Sequence, residues 1–297
     1  EVVVLEELDP FLEEELGIAG VRVRGKHPSF RVGELRPEFV PPILAGEAKE
    51  EKPGKVRKPV MCPGCPHRAV FWILRKLRPV VAGDIGCYTL GALPPLGALH
   101  SCLCMGSGIT FFEGLRKGVK KNVVGVIGDS TFVHSGLAGL VNAAYNGATG
   151  VVIILDNGTT AMTGSQPHPG TGLTITGRRT KQLRLEDVCR ACGADHVDVI
   201  DPHDTKGLEA LLRARFEEPA LSVVIARFPC RLIRREKTGA VRYDRDRCKK
   251  CGRCLALDCP ALRPADDGYV MIDENLCVEC GLCVDVCTVG ALTRHAK

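Results

Sequence analysis

At 297 residues the chain has room for one domain of ordinary size and smaller ones beside it, and 45% apolar against 25% charged residues is the balance of a soluble globular protein. A diffuse net charge of +5, with one Trp and four Tyr, lacks the basic face and stacking aromatics of a nucleic-acid binder, so no nucleic-acid partner is expected. With no signal peptide and no apolar run long enough to span a bilayer, no membrane role is expected, and the sixteen cysteines are read as thiols of a reducing cytoplasm.

In chain order, an apolar strand at 2–5 and an acidic helix around 10–16 read as the end of a preceding α/β domain, residues 1–45. Position 1 is Glu and the chain opens inside a strand, so the sequence reads as a fragment of something longer. Residues 46–59 carry charges, Gly and Pro without apolar periodicity, the composition of a linker. From 60 to 228, helical patterns at 67–77, 107–119, 133–145, 185–192 and 205–216 alternate with short apolar strands at 80–82, 123–127, 151–155, 196–199 and 222–226. That alternation predicts an α/β domain, a parallel sheet with helices on both faces. Ligands of such sheets bind at the carboxyl ends of the strands. Residues 229–243 read as a second linker; the basic run Arg227, Arg231, Arg234, Arg235 and Lys237 is taken as solvated, with docking of an acidic electron carrier as the rival reading. Residues 244–297 are expected to form a small α+β ferredoxin-like domain.

Two strand ends carry chemistry. The strand at 123–127 runs into Gly128-Asp129-Ser130 and a helix, where glycine lets backbone approach a phosphate, the helix start offers free N–H donors, and Asp129 supplies a carboxylate oxygen for Mg²⁺. The next strand ends in Asp156-Asn157-Gly158-Thr159, bringing an amide oxygen to the neighbouring position. Neither a GxGxxG dinucleotide fingerprint nor a P-loop is present.

The tail holds eight of the cysteines: Cys248, Cys251, Cys254 and Cys259, then Cys277, Cys280, Cys283 and Cys287. A CxxCxxC loop wraps three thiolates around one [4Fe-4S] cluster while its fourth cysteine serves the other. The expected sets are therefore Cys248, Cys251, Cys254 and Cys287 on the first cluster, and Cys259, Cys277, Cys280 and Cys283 on the second. Four residues, not three, precede Cys259, and Thr288 stands where proline is usual, yet neither change removes a ligand. Zinc, which also uses paired CxxC motifs, is the competing reading.

Gly128-Asp129-Ser130 followed by Asn157 resembles the thiamine diphosphate motif, with Ser130 departing at its third place. Together with MCPGCPHR at 61–68, GDIGCYTLG at 83–91, GDSTF at 128–132 with His134, TAMTG at 160–164 through Gln166, and HPGTG at 168–172, it resembles the alpha-subunit family of indolepyruvate ferredoxin oxidoreductases over essentially the whole chain. The resemblance implies thiamine diphosphate bound near Gly128, Asp129, Ser130, Asn157, Thr159, Gly86 and Cys87, and Mg²⁺ held by Asp129, Asn157 and the carbonyl of Thr159. It further implies oxidative decarboxylation of an aryl 2-oxo acid such as indolepyruvate to an acyl-coenzyme A, with electrons leaving through the clusters to ferredoxin. A beta subunit is implied as partner, and the activating glutamate is expected outside this chain.

Cysteines in comparable places of related pyruvate ferredoxin oxidoreductases imply a third cluster on Cys62, Cys65, Cys87 and Cys230, with a zinc site that recruits His67, or free thiols, as the alternatives. Cys102, Cys104, Cys189 and Cys192 are read as ordinary. His134 and His168 follow the metal-binding strand ends and are the candidate catalytic proton carriers, a structural role being the alternative for each. Rival functions are turnover of pyruvate or 2-oxoglutarate instead, a non-oxidative thiamine decarboxylase, and a non-catalytic electron-transfer module.

Overall fold

The computed structural model describes residues 2–49, 58–234 and 240–295. The chain divides into two compact units, Glu1–Lys58 and Pro59–Lys297. In the first, β1 (Val2–Val3) pairs in parallel with β2 (Val23–Arg24), with α1 (Phe11–Ile18) between them and α2 (Val40–Ala45) after them. The buried Lys26 ammonium donates to the carbonyls of Glu6 and Leu8. Residues 50–57 of the first expected linker lie outside the described residues.

The second unit is built on a five-stranded parallel sheet. In chain order it runs α3 (His67–Leu77), β3 (Val80–Ala82), α4 (Ser107–Gly118), β4 (Val123–Gly128), α5 (Asp129–Thr131), α6 (Leu137–Tyr145), β5 (Gly150–Asp156), α7 (Leu185–Ala191), β6 (His196–Ile200), α8 (Thr205–Glu217) and β7 (Leu221–Arg227). The spatial order is β3-β4-β5-β7-β6. Alternate side chains of each strand face opposite layers. Val124, Val126, Val151, Ile153, Leu155 and Val224 pack under α3 and α8, whereas Ile127, Val152, Ile154, Val223 and Ile225 pack under α4, α6 and α7. Continuous apolar strands are what a sheet covered on both faces requires.

The helix expected at 133–145 starts earlier, at Asp129, and a π-helical turn at Phe132–Gly136 separates α5 from α6. Glycines at the start of α4 permit close packing. At Gly106 (φ 94°) a Cβ would lie 2.8 Å from the Ser135 carbonyl oxygen, and at Gly108 it would lie 2.5 Å from that of Val126. Helix α4 therefore approaches both the π turn and β4 more closely than any side chain would allow.

The tail contains β8 (Ala240–Tyr243), β9 (Leu262–Pro264), β10 (Val270–Ile272), α9 (Leu282–Val286) and β11 (Leu292–His295), with β8 antiparallel to β11 and β9 to β10. The expected boundary between residues 60–228 and 244–297 does not separate two bodies. Ala69 and Trp72 of α3 pack with Cys254, Leu257, Val270, Leu282 and Val286 of the tail in one core. Nor is 229–243 a free linker: Arg231 is buried and residues 240–243 form β8. Of the basic run read as solvated, Arg227 is ion-paired with Asp156 and Glu186, while Arg235 and Lys237 lie outside the described residues. Among the described residues no helix is long and apolar enough to cross a membrane.

Candidate cofactor site and cysteine clusters

Strands β4 and β5 are neighbours, with Gly128 opposite Leu155 in register, so the turns that follow them meet beyond the sheet's carboxyl edge. Asp129 opens the turn after β4 and is almost wholly buried. Its Oδ1 accepts the Ser130 N–H (2.7 Å), and its Oδ2 accepts the N–H groups of Asn157 (3.1 Å) and Gly158 (2.8 Å) from the turn after β5. Burial pushes this carboxyl up, but the contact with His168 and the backbone N–H donors outweigh it and hold the group below its ordinary range. One carboxylate thus ties two strand ends together and stays ionised.

Asn157 is also buried; its Oδ1 accepts the Thr159 N–H at 3.1 Å, and its Nδ2 lies 3.2 Å from His67 Nε2. Burial drives the His67 imidazole down to about 4, with the Asp129 charge only partly opposing it. A neutral ring accepts the Asn157 amide proton, which fixes the amide with its oxygen towards the Thr159 N–H. Sequence reasoning considered His67 only as a possible zinc ligand. The signal that would have found it is position: His67 opens α3 directly after the CxxC turn. Ser130, the departure from the thiamine motif, is bonded as well, its hydroxyl accepting that of Thr160 at 2.7 Å.

These residues line one pocket of about 110 Å³ with Ile85, Gly86, Cys87, Tyr88, Met105 and Met162. The Tyr88 ring lies against Gly86 and Gly128, where a Cβ would come within 2.3 Å and 2.9 Å of it. Asp84, wholly buried, accepts the N–H of Ile85 and of Gly108, both at 2.8 Å, and so fixes the loop after β3 to the start of α4. The two candidate histidines part company. His168 is buried with Nε2 3.2 Å from Asp129 Oδ2, whereas His134 is exposed and bonds Ser135 Oγ at 2.7 Å; neither lines the pocket itself. His134 sits on the π turn.

The donor set of Asp129, Asn157 and the Thr159 carbonyl is all hard oxygen, the kind Mg²⁺ takes when phosphate and water complete its shell. Buried N–H donors and glycines at the strand end suit the diphosphate. The residues present therefore fit the cofactor.

Beside this pocket the structure gathers Cys62, Cys65, Cys87 and Cys230. Burial raises the Cys65 thiol to about 12, and the charges of Cys62 and Cys87 add to the rise; burial also raises Cys87, with Cys230 and Cys62 adding to it. In the tail, Cys259, Cys277, Cys280 and Cys283 line one apolar cavity. Cys254 is raised by burial and further by its neighbours Cys251 and Cys287, and the Cys248 sulfur bonds Tyr243. Thiols raised by burial, as Cys65, Cys87, Cys254, Cys280 and Cys283 are, become thiolates more readily when a metal centre compensates, and the grouping of four cysteines fits iron–sulfur ligation. Among the described residues no three His, Cys, Asp or Glu are drawn tightly enough to hold a single metal ion. A cubane, binding four thiolates through separate iron atoms, needs a wider ring. Of the cysteines read as ordinary, Cys189 is buried in the core of α7 and Cys192 packs against it, while Cys102 and Cys104 are exposed.

Arg227, opposite Asp156 in the β5–β7 register, bonds Asp156 at 2.6 Å and Glu186 at 2.8 Å behind the Asn157 turn. The hydrogen bond from Arg227 holds the Glu186 carboxyl at about 2, below its ordinary 4.5. A depressed folded-state value gives stability that is complete above the unfolded value and disappears as pH falls through the folded one. The variant E186Q is therefore expected to be less stable than the parent at neutral pH and equal to it by about pH 2. Denaturant midpoints across that range check this; a constant difference would mean Glu186 acts through packing instead.

Comparison with known proteins gives the site a context. Residues 84–226 match the thiamine pyrophosphate enzyme C-terminal TPP binding domain, and residues 270–293 match the 4Fe-4S binding domain. The chain is 37% identical over 291 residues to the indolepyruvate oxidoreductase subunit IorA of Archaeoglobus fulgidus. It is 36% identical over 288 residues to that of Methanothermobacter marburgensis and 37% over 309 residues to that of Pyrococcus abyssi. Each match covers 88% of this chain and 47% of the relative, so the chain spans about half the length of these curated relatives.

Proposed function

The chain belongs with the IorA subunits of indolepyruvate oxidoreductases, of which it matches about half, and from that premise we propose that it carries the thiamine diphosphate and electron-transfer part of an oxidoreductase acting on aryl 2-oxo acids. The observation that supports the reading is that Cys87 lines the same pocket as Asp129, Asn157 and Thr159, so a cluster held by Cys87 would lie beside a cofactor bound there. Bound thiamine diphosphate supplies the electron sink that lets a 2-oxo acid lose CO₂. The chain's own residues hold, orient and drain that site. Asp129, Asn157 and the Thr159 carbonyl would hold Mg²⁺, the N–H groups after β4 would face the diphosphate, and the apolar walls of Tyr88, Met105 and Met162 would exclude water. His168, buried against Asp129, is the better placed of the two histidines to hold a proton there.

Two electrons must leave one at a time, and the cysteine sets provide single-electron carriers: Cys62, Cys65, Cys87 and Cys230 nearest the cofactor, then the two tail sets. Ferredoxin is the external acceptor, coenzyme A takes the acyl group, and a beta subunit with the rest of the IorA chain completes the enzyme, including its activating glutamate. The test is stopped-flow reduction of the clusters in the assembled enzyme. Indolepyruvate with coenzyme A should bleach them faster than pyruvate or 2-oxoglutarate; no bleaching by any 2-oxo acid would overturn the reading, and a preference for pyruvate would reassign the substrate. Iron analysis of anaerobically prepared protein should give about twelve atoms per chain, four for each of three cubanes. A count near eight would remove the cluster on Cys62, Cys65, Cys87 and Cys230.

A further inference from the structure

Among the described residues Arg68 is the largest fully buried side chain, at 1% exposure, and no carboxylate there is bonded to it. A buried guanidinium without a paired anion is costly, so what it faces is informative. Nη1 donates to the carbonyls of Leu257 and Asp258, both at 2.5 Å, and Nη2 to those of Met61 (2.6 Å) and Cys62 (3.2 Å). The remaining donor, Nε–H, has no acceptor among the described residues.

The side chain also lines the apolar cavity of Cys259, Cys277, Cys280 and Cys283. Pro63 and Gly64 of the CxxC turn line it too, and Gly64 (φ 67°) sits so close that a Cβ there would lie 2.2 Å from Val278 Cγ2. Arg68 thus stands where the turn carrying Cys62 and Cys65 meets the tail loop carrying Cys277 and Cys280.

We propose that Arg68 is a positioning residue that sets the reduction potential of the cluster held by Cys259, Cys277, Cys280 and Cys283. The proposal rests on the reading of that tail set as a [4Fe-4S] ligand set. A cubane with four thiolates is anionic and gains one further negative charge when it accepts one electron. A fixed cation at the cavity wall stabilises the reduced form more than the oxidised one. The apolar lining leaves little solvent to screen the interaction. Glu279, half-buried on the same cavity, contributes the opposing charge, so the effect of Arg68 is read between variants that both keep Glu279.

The test is a redox titration followed by electron paramagnetic resonance on the assembled enzyme, comparing the parent, R68K and R68M. R68M is expected to lower the midpoint potential of one tail cluster and leave the other nearly unchanged, while R68K, which keeps the charge, stays close to the parent. A purely structural staple would lower the melting temperature of both variants without moving either potential, and that result overturns the proposal. If R68M does not accumulate folded, the parent answers: the tail cluster whose signal is lost in C280S must be the one of higher potential, and the reverse order overturns the proposal. A parent without cubane signals overturns the cluster reading itself and the proposal with it.

Discussion

Substitution of Asp129 by alanine is expected to weaken binding of thiamine diphosphate with Mg²⁺ by more than about 100-fold, beyond the loss seen when outer-shell partners of a metal site are removed. Two losses combine. The variant deletes the only carboxylate among the three oxygen donors proposed for the metal. It also strands the N–H groups of Ser130, Asn157 and Gly158, which all donate to Asp129 in a buried turn. Each buried donor left without a partner costs about 1–3 kcal/mol, so the turn that presents Asn157 and Thr159 should rearrange as well. D129N is no rescue, since its amide hydrogens would face backbone donors. S130G, which removes only the hydroxyl accepting from Thr160, should bind within a few-fold of the parent, about the effect of one ordinary hydrogen bond. Calorimetric titration at saturating Mg²⁺ separates these cases. Parent-like affinity in D129A would show that this pocket does not hold the cofactor.

Cys259→Ala is expected to cost about four iron atoms per chain, one whole cubane, because a cluster seldom survives without one of its thiolates. The variant also tests which cysteines act together. Cys259 lines the cavity of Cys277, Cys280 and Cys283, although in sequence it closes the run of Cys248, Cys251 and Cys254. C259A and C283A should therefore lose the same paramagnetic signal, and C254A a different one. Matching losses in C259A and C254A would refute the crossed ligand sets. C283A and C254A should also unfold at lower temperature, since Cys254 and Cys283 belong to the core that docks the tail on α3. C189A, altering a thiol buried under the sheet, should leave the iron count unchanged.

Strand and helix positions in the second unit were legible because each element carries its own signal. Five-residue stretches such as 123–127 in β4 and 151–155 in β5 need no partner to be recognised, and α3 shows apolar residues on one helical face and Arg75 and Lys76 on the other. The π turn at Phe132–Gly136 was not legible, since an extra residue within one turn leaves the apolar pattern almost unchanged. His134 is a candidate from sequence because it lies shortly beyond the strand end that carries Asp129; in the structure it sits on the π turn and is exposed.

The chemistry of the chain was written locally. Gly128-Asp129-Ser130, the Asn157 turn and the tail cysteine runs are short-range patterns, because a metal or cluster takes several ligands from a few consecutive turns. What only the tertiary structure decided is how those sites face one another. Insertion of β7 between β5 and β6 sets Arg227 beside Asp156, and docking of the tail on α3 sets Arg68 against residues 189 and 190 positions away. Contacts that distant leave no periodicity or spacing in the sequence. They arise from burial of Ala69, Trp72 and Leu257 in one shared core, which depends on shape and packing across the whole unit.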